Sequence, residues 1–472
     1  MLFSSLTFLF YFLPLVLLVY YLIPAKGRTA WLLLSSLVFY AWGGVSYSII
    51  LVGSILVNFF LARLLANPER KRKPCLIVGL LFNVSLLFTF KYLAFFITNL
   101  NLLSDVLMQN PEAVSAVEIA LPIGISFFTF QQVSMLWDIY RSKEKQRIGL
   151  LETALYIGFF PQLIAGPIVR YNHIINQIRT RKESIAQFSS GIERFIIGLF
   201  KKMVLANGCA EIIDTLLIND VSAIGTSAAW LGAIAYTFQI YFDFSGYSDM
   251  AIGLGRMFGF SILENFNFPY AATSIQDFWR RWHISLSSWF RDYVYIPLGG
   301  NRLGGVRTYV NLMIVFLLTG FWHGATWSFV FWGVFHGVFL IIERVGFKNV
   351  LAKLPKPIRW VYTMFIVVVG WVFFRVEDFG DAAIFAGKLV GIGTTGDLVA
   401  ISFLNAERYV ILALAFVLSF PLIERVSTGQ LKAVLKNPAF VFSKQLVLIG
   451  LFFYAIVLIN SGSYSPFIYF RF

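Results

Sequence analysis

Long runs of apolar residues recur along the whole chain, and a helix of about 20 such residues crosses a lipid bilayer. The runs lie near residues 3–23, 30–43, 46–65, 75–97, 118–139, 188–206, 228–251, 359–376, 408–424 and 443–461. The stretch 308–343 is long enough for two further spans, or for one span and a re-entrant segment. The sequence therefore predicts an all-α integral membrane protein with about 10 to 12 transmembrane helices.

Charged residues are too scarce for a water-soluble protein of this length. Of the 472 residues, 58% are hydrophobic and 13% are charged, about half the charged share of a soluble domain. This balance excludes a soluble globular protein and a disordered chain. The net charge of +14 would suggest nucleic acid in a soluble protein. In a membrane protein it reflects basic cytoplasmic loops, so no nucleic-acid partner is predicted.

Lys and Arg residues alternate between loops, and this pattern predicts the orientation. The loops 66–74, 140–149, 344–359 and 425–444 are basic, whereas 98–117 and 207–227 contain no Lys or Arg. Basic loops remain in the cytoplasm, which places the N-terminus outside. The first apolar run has no basic region before it and is interpreted as a retained span.

The segment 150–165 is short and apolar, yet basic residues flank it on both sides. If both flanks are cytoplasmic, the segment does not cross the membrane. We interpret it as re-entrant, with Pro161, Gly166 and Pro167 interrupting the helix. Irregular backbone at membrane depth is buried in protein or lines a wet cavity, which favours a central cavity.

The stretch from 256 to 307 is the longest one without a convincing span. It contains an amphipathic pattern that predicts one helix from about Ser274 to a stop at Pro297, Gly299 and Gly300. Apolar side chains recur at helical spacing: Phe278, Trp282, Leu286, Trp289 and Tyr293. Basic side chains lie off that stripe: Arg280, Arg281, His283 and Arg291. The helix either lies at the membrane interface or holds an anionic substrate through its arginines, and the two interpretations are compatible. Asp277 and Arg281 are spaced for an ion pair.

Four ionisable residues lie inside apolar segments, where each is a functional candidate. Asp243 and Asp249 are six residues apart, which excludes a shared helix face; structural bonds to neighbouring helices are the alternative role. His323 and His336 are 13 residues apart and do not form a helical metal pair. Burial favours the neutral imidazole that acts as a base, whereas a core histidine bridging helices is the alternative. No metal site is predicted.

The strings FWRRWHISLSSWFRDYVYIPLGGNR and GFWHG resemble the membrane-bound O-acyltransferase (MBOAT) superfamily. The strings YFDFSGYSDMAIGLGRMFGF, ENFNFPY, PQLIAGP and SPFIYFRF resemble its bacterial polysaccharide O-acetylation branch, as in alginate O-acetylation. The resemblance covers the whole chain. It implies a ring of transmembrane helices around a central funnel, with the signature helices inside. The family's two histidines match His283 and His323, and His323 matches the catalytic one.

The resemblance further implies an activity and its partners. A cytoplasmic acetyl-CoA would supply acetyl through a central tunnel, and a periplasmic or membrane-anchored partner of the SGNH-hydrolase type would place it on a cell-envelope polysaccharide. No bound cofactor is implied, and the location would be the bacterial inner membrane. The division expected is 1–140 for N-terminal spans, 141–343 for the MBOAT core and 344–472 for C-terminal spans, in a single membrane domain.

Residue chemistry and resemblance together predict roles within this site. His323 is the expected base and His283 the orienting residue. Arg280, Arg281 and Arg291 would bind the donor beside Trp282, and Asp243 would support the arrangement by hydrogen bonding. Direct transfer is favoured over a covalent acyl-enzyme because the sequence has no G-x-S-x-G motif. Two alternatives remain: D-alanyl transfer to a cell-envelope polymer, and a non-enzymatic transporter or scaffold.

Overall fold

The computed structural model describes residues 1–69, 71–108, 114, 119–218, 221–393, 404–422, 437–462 and 467–468. These residues form helices joined by turns and loops, and no β-strand occurs among them. The predicted all-α class is therefore confirmed. Arg70, most of the basic loop 425–444 and most of the terminal motif SPFIYFRF lie outside the described residues.

The α-helices are, in chain order, α1 (Leu13–Leu22), α2 (Ala25–Ala41), α3 (Val45–Leu65), α4 (Lys73–Leu87), α5 (Leu93–Met108), α6 (Ile125–Arg141), α7 (Leu150–Gly158), α8 (Phe160–Leu163), α9 (Tyr171–Thr180), α10 (Ile185–Phe200), α11 (Asn207–Leu217), α12 (Thr226–Met257), α13 (Ile275–Arg281), α14 (Ile284–Phe290), α15 (Gly305–His323), α16 (Trp327–Ile342), α17 (Lys348–Lys353), α18 (Lys356–Arg375), α19 (Phe379–Leu389), α20 (Ala406–Leu418) and α21 (Pro438–Asn460). Short π-helical segments adjoin several of them: Phe8–Phe12, Phe88–Tyr92, Lys201–Ala206, Arg291–Tyr295 and Glu343–Phe347. Two 3₁₀ turns lie at Val221–Ala223 and Pro269–Ala271.

Six of the described helical segments are long and apolar enough to cross a membrane. They are Val45–Leu65, Lys73–Leu107, Gly305–His323, Trp327–Lys353, Lys356–Arg375 and Pro438–Asn460. A shorter apolar helix, Phe8–Leu22, falls on the first predicted span. The stretch 308–343 contains two helices, as the first of its two interpretations predicted. The protein is thus a multi-pass membrane protein, whereas the ring arrangement, the exact span count and the outside N-terminus stay predictions.

The chain divides into two compact units: Met1–Gly191 with Leu254–Leu263, and Ile192–Gly253 with Glu264–Phe472. The first unit has an aromatic core in which the rings of Phe8, Phe12, Phe39 and Phe160 pack within 6.5 Å of one another. The second unit contains every side chain proposed from the sequence for the active site.

The segment predicted to be re-entrant is a broken helix. α7 ends at Gly158, Phe159 is non-helical, and α8 begins at Phe160. The break therefore precedes Pro161, which lies in the first turn of α8 rather than at the interruption. The break is buried, and Ser36 Oγ accepts a hydrogen bond from the Phe160 amide at 3.1 Å. A protein side chain thus provides the hydrogen-bond partner of this irregular backbone, as is required at membrane depth. That the segment enters and leaves the membrane on the same side stays a prediction.

A reciprocal amide pair joins α3 to α4 in the first unit. Asn58 Nδ2 donates to Asn83 Oδ1 at 3.1 Å, and Asn83 Nδ2 donates to Asn58 Oδ1 at 2.8 Å. Both side chains are buried. We expect Asn83→Ala to lower the free energy of unfolding by roughly 0.6–2 kcal/mol, the range for hydrogen bonds between membrane helices. Thermal unfolding in detergent measures this change, with the exposed Asn176→Ala as control; an unchanged midpoint would contradict it.

Candidate active site

Helix α13 begins as the sequence predicted, and a second group fixes its start. Ser274 Oγ accepts a hydrogen bond from the Asp277 amide at 3.0 Å. The buried Glu343 carboxylate accepts from the amides of Ile275 at 2.7 Å and Gln276 at 3.0 Å. Three of the amides that a helix start leaves without internal partners are thereby satisfied. The sequence did not point to Glu343, which lies 68 residues beyond Ile275.

The predicted helix from Ser274 to Pro297 is interrupted, so the prediction of one continuous helix was wrong. α13 ends at Arg281, Trp282 is extended, and His283 has a left-handed backbone with φ 42° before α14 begins at Ile284. A non-glycine residue in this conformation costs about 1–3 kcal/mol, and such residues cluster at functional sites. The loop at Asn265 stabilises the break because its backbone carbonyl accepts a hydrogen bond from the Ile284 amide at 2.9 Å.

The break points the His283 side chain into the protein. The residue is fully buried, and its Nδ1 lies 3.1 Å from Asn265 Oδ1. The ring of Phe244 on α12 packs edge-on against the imidazole at 4.6 Å. His283 lies outside the six membrane-crossing segments, and burial lowers the pKa of its imidazole to about 3. The ring is therefore neutral at physiological pH.

The two histidines predicted as the reactive pair lie side by side. His323 is the last residue of α15 and is 2% exposed, and its ring centroid is 6.5 Å from that of His283. Aromatic rings surround it: Trp322 at 4.9 Å, Trp332 at 5.1 Å and Phe374 at 4.9 Å. Two histidines forty residues apart in the sequence therefore lie next to each other in a buried, largely aromatic environment.

A glycine-lined crossing of α15 and α16 places His323. A Cβ atom on Gly320 would lie 2.4 Å from the Phe329 carbonyl oxygen, and one on Gly333 would lie 2.4 Å from the Phe316 carbonyl oxygen. The backbones therefore meet directly. This contact packs α16 against the last turn of α15, which ends at His323.

Two further residues predicted from the same region lie in an aromatic core. Trp282 is 1% exposed and stacks with Phe278 at 5.7 Å. His336 is fully buried, and its ring lies 5.3 Å from that of Trp279 and 5.1 Å from that of Trp332. His336 thus occupies the core position considered as its alternative role, and a direct contact of Trp282 with substrate stays a prediction.

A cavity of about 250 Å³ is lined by three arginines, Arg280, Arg291 and Arg344. Its lining also includes the polar residues Gln276, Ser287, Tyr295 and Thr319. Arg280 is exposed, and the sequence did not point to Arg344. Arg281 does not line this cavity; its Nε donates to Asp277 Oδ1 at 2.9 Å, the ion pair that the spacing predicted. The cavity can bind an anionic ligand.

The buried acids of α12 are held in ion pairs. Asp243 Oδ1 lies 2.7 Å from Lys202 Nζ, and Asp243 Oδ2 accepts from the Ile468 amide at 2.8 Å. Asp249 pairs with Arg194 at 2.6 Å and Lys201 at 2.7 Å. These contacts match the structural alternative. Among the described residues, no group of three or more His, Cys, Asp or Glu side chains is placed to hold a metal ion.

A helical membrane protein that buries two adjacent histidines and has an arginine-lined cavity in the same compact unit has the features of a membrane-embedded group-transfer enzyme. A model of the membrane-bound O-acyltransferase family, MBOAT, matches residues 84–376. The chain belongs to this family, which confirms the resemblance of its signature strings, and it is an acyltransferase. The transporter and scaffold alternatives lose their support with this finding.

Relatives of known name cover the chain to different extents. The probable alginate O-acetylase AlgI of Azotobacter vinelandii is 38% identical, over 100% of both chains. The peptidoglycan O-acetyltransferase of Helicobacter pylori is 39% identical, over 83% of this chain and 80% of its own. The teichoic acid D-alanyltransferase of Bacillus subtilis is 31% identical, over 56% of this chain and 69% of its own. The chain belongs to the O-acetylation branch of the family.

Proposed function

We propose that the protein moves an acetyl group from cytoplasmic acetyl-CoA to the far side of the membrane for O-acetylation of a cell-envelope polysaccharide, either an alginate-like exopolysaccharide or peptidoglycan. The observation that carries the proposal is the meeting of His283 and His323 at 6.5 Å in a buried site. Similarity over the full length to a protein named for alginate O-acetylation supports acetyl as the group transferred.

His323 is the proposed base of the transfer. It takes the proton from an acceptor hydroxyl, whose oxygen attacks the thioester carbonyl carbon and forms the new ester bond. The carbon–sulfur bond breaks, and the leaving thiolate receives the proton from His323. Enclosure by Trp322, Trp332 and Phe374 keeps water from competing as the nucleophile. His283 orients a bound substrate group beside the base.

Asp243 supports this arrangement at a distance. Its carboxylate contacts Lys202 and the Ile468 amide, and the next residue, Phe244, packs on His283. The ion pair therefore holds the turn of α12 that forms one wall of the site. We infer that its contribution is to the position of His283 through Phe244.

Arg280, Arg291 and Arg344, which line the cavity, are the proposed site for the phosphates of the donor. Arg281, which pairs with Asp277 outside the cavity lining, is a further proposed contact of the donor. We expect the double variant Arg280→Ala, Arg344→Ala to raise KM for acetyl-CoA by about tenfold or more per arginine, because hydrogen bonds to charged groups contribute about 1.5–3 kcal/mol. Initial rates against acetyl-CoA concentration measure this change.

Acetyl-pantetheine provides the sharpest comparison for this phosphate site, since it has the thioester but lacks the nucleotide phosphates. Native protein and double variant should use it with equal KM. Arg302→Ala, at an exposed arginine outside the cavity lining, serves as the control and should retain the native KM. A native KM for acetyl-CoA in the double variant would place the phosphates elsewhere.

The proposed partner is a periplasmic or membrane-anchored protein of the SGNH-hydrolase type, which receives the acetyl group and places it on the polysaccharide. The proposed location is the bacterial inner membrane with the N-terminus outside. The alternation of basic loops supports this orientation.

Radiolabelled acetyl-CoA added to membranes tests the proposal. Label should accumulate in extracytoplasmic polysaccharide only when the protein and its partner are both present. Accumulation of label in the partner alone, in the absence of polysaccharide, would identify the partner as the immediate acceptor. No label above that of membranes lacking the protein would refute acetyl transfer.

D-alanyl transfer is the second candidate, favoured by the relative named a teichoic acid D-alanyltransferase. The similarity to this D-alanyltransferase covers 56% of this chain, whereas the similarity to the probable alginate O-acetylase covers 100% of it. A parallel assay with a D-alanyl thioester separates the two candidates: acetyl transfer without D-alanyl transfer supports the first.

A further inference from the structure

Asn265 makes a dense set of contacts at the helix break. The residue is 1% exposed, and its Oδ1 accepts from the Ser285 amide at 3.1 Å and from Ser285 Oγ at 2.8 Å. The same Oδ1 lies 3.1 Å from His283 Nδ1. Its Nδ2 donates to Ser248 Oγ at 3.3 Å. One side chain therefore joins α12, α14 and the strained His283.

These contacts define which nitrogen of His283 carries the proton. A backbone N–H only donates, so the atom of Asn265 that faces the Ser285 amide is the oxygen. An oxygen without a hydrogen only accepts, so His283 Nδ1 donates to it. Ser285 Oγ lies 3.5 Å from the same nitrogen, but its hydrogen is directed to Asn265 Oδ1 at the shorter distance of 2.8 Å. The neutral ring then has its proton on Nδ1 and its lone pair on Nε2.

We propose that Asn265 is a positioning residue that holds His283 in its Nδ1-protonated tautomer and thereby makes Nε2 a hydrogen-bond acceptor for an N–H or O–H group of the substrate. The inference rests on the proposed function for the use made of Nε2. The proposed role explains why α12, α14 and the loop at Asn265 all contact His283, although its backbone is strained. A ring free to change tautomer would present a donor instead and would not orient the same group.

Solid-state NMR of the full chain in lipid bilayers, with ¹⁵N-labelled histidine, tests the tautomer without any activity. The chain has four histidines, so His283→Gln assigns the signal. We expect Nδ1 of His283 to carry the proton in the native protein and the Nε2-protonated form to appear in Asn265→Ala. An Nε2-protonated ring in the native protein, or an unchanged tautomer in folded Asn265→Ala, would overturn the inference.

Kinetics provide the readout that a merely structural role would not change. Asn265→Ala should lower kcat by about 10- to 100-fold, the range known for partners that orient histidines at metal sites, with little change in KM for acetyl-CoA. Asn267→Ala, in the same loop but with an exposed side chain, should retain the native kcat. Equal loss of kcat in both variants would contradict a positioning role.

Asn265→Asp retains the acceptor oxygen but adds a negative charge, so it keeps the proposal testable if the alanine variant fails to fold. The groups that face His283 include Phe244, Asn265, Ser285, Trp322 and the titratable His323. A carboxylate beside Nδ1–H favours the imidazolium and raises the pKa of His283. Because protonated Nε2 accepts no hydrogen bond, kcat should fall at a higher pH in this variant than in native protein. An unshifted profile in a folded variant would overturn the proposal.

The NMR measurement and the acetyl-transfer assay together separate failure of this inference from failure of the proposed function. If no acetyl transfer occurs, the proposed function fails, and the NMR tautomer still decides the role of Asn265. If acetyl transfer occurs but His283 is protonated on Nε2, the function stands and the inference fails.

Discussion

Replacing His323 with glutamine should lower kcat for acetyl transfer by roughly 100- to 10,000-fold, the range for loss of a general base. Glutamine fills a similar volume but does not accept a proton from the acceptor hydroxyl. Because the donor is proposed to bind through arginines in a separate cavity, KM for acetyl-CoA should change little. Initial rates with radiolabelled acetyl-CoA and purified protein in lipid measure both constants.

His336→Gln is the matched control for this variant. His336 is fully buried, and Trp332 lies 5.1 Å from its ring and 5.1 Å from that of His323. Both substitutions therefore place an amide in a similar aromatic environment and should reduce the unfolding temperature to a similar degree. Only His323→Gln should lower kcat by the roughly 100- to 10,000-fold expected for loss of the base. Native kcat in folded His323→Gln would refute its role as the base, and equal loss in both variants would indicate a packing effect.

Local features of this site were predictable from the sequence because their determinants are a few residues apart. Ser274 caps α13 through the amide of Asp277, and Asp277 pairs with Arg281 one turn later. The two apolar helices within 308–343 also follow from local hydropathy. The identity of His283 and His323 as a pair came from resemblance to the family, since their separation of forty residues has no local signature.

The break at His283 was not predictable, because the string RWHIS contains neither glycine nor proline. Its stabilising contacts come from Asn265, 18 residues earlier, within a string noted only for its resemblance to the family. The apolar pattern in the sequence therefore predicts one continuous helix. In the fold, hydrogen bonds from a distant part of the chain stabilise a break in that helix. A left-handed histidine has no sequence signal of its own.

The buried aspartates of α12 were also predictable only in part. Apolar surroundings indicated that Asp243 and Asp249 need partners, but spacing along α12 gave no identity for them. The partners are Lys202 and Lys201, with Arg194, from segments more than 40 residues earlier in the chain. Lys201 and Lys202 lie inside the predicted span 188–206, and hydropathy along one segment does not report ion pairing across helices.

The crossing of α15 and α16 depends on the absence of side chains at Gly320 and Gly333, so Gly333→Ala should be strongly destabilising for a one-carbon change. The added Cβ would lie 2.4 Å from the Phe316 carbonyl oxygen and 3.2 Å from the Cα of Gly320. Both obstacles are backbone atoms, which do not move aside as a flexible side chain does. We expect a loss of about 1–3 kcal/mol in the free energy of unfolding, the usual cost of overpacking. Thermal unfolding in detergent measures this loss.

Separation of the two helices should also impair the chemistry, because His323 lies three residues beyond Gly320 on α15. kcat of folded Gly333→Ala should therefore fall, although no reactive group is changed. Gly450→Ala is the matched control: it lies in the membrane helix α21, and an added Cβ there meets no atom within 4 Å. Since alanine favours a helix more than glycine does, this control should retain or increase stability. A native unfolding temperature and native kcat in Gly333→Ala would show that the direct backbone contact does not determine the position of His323.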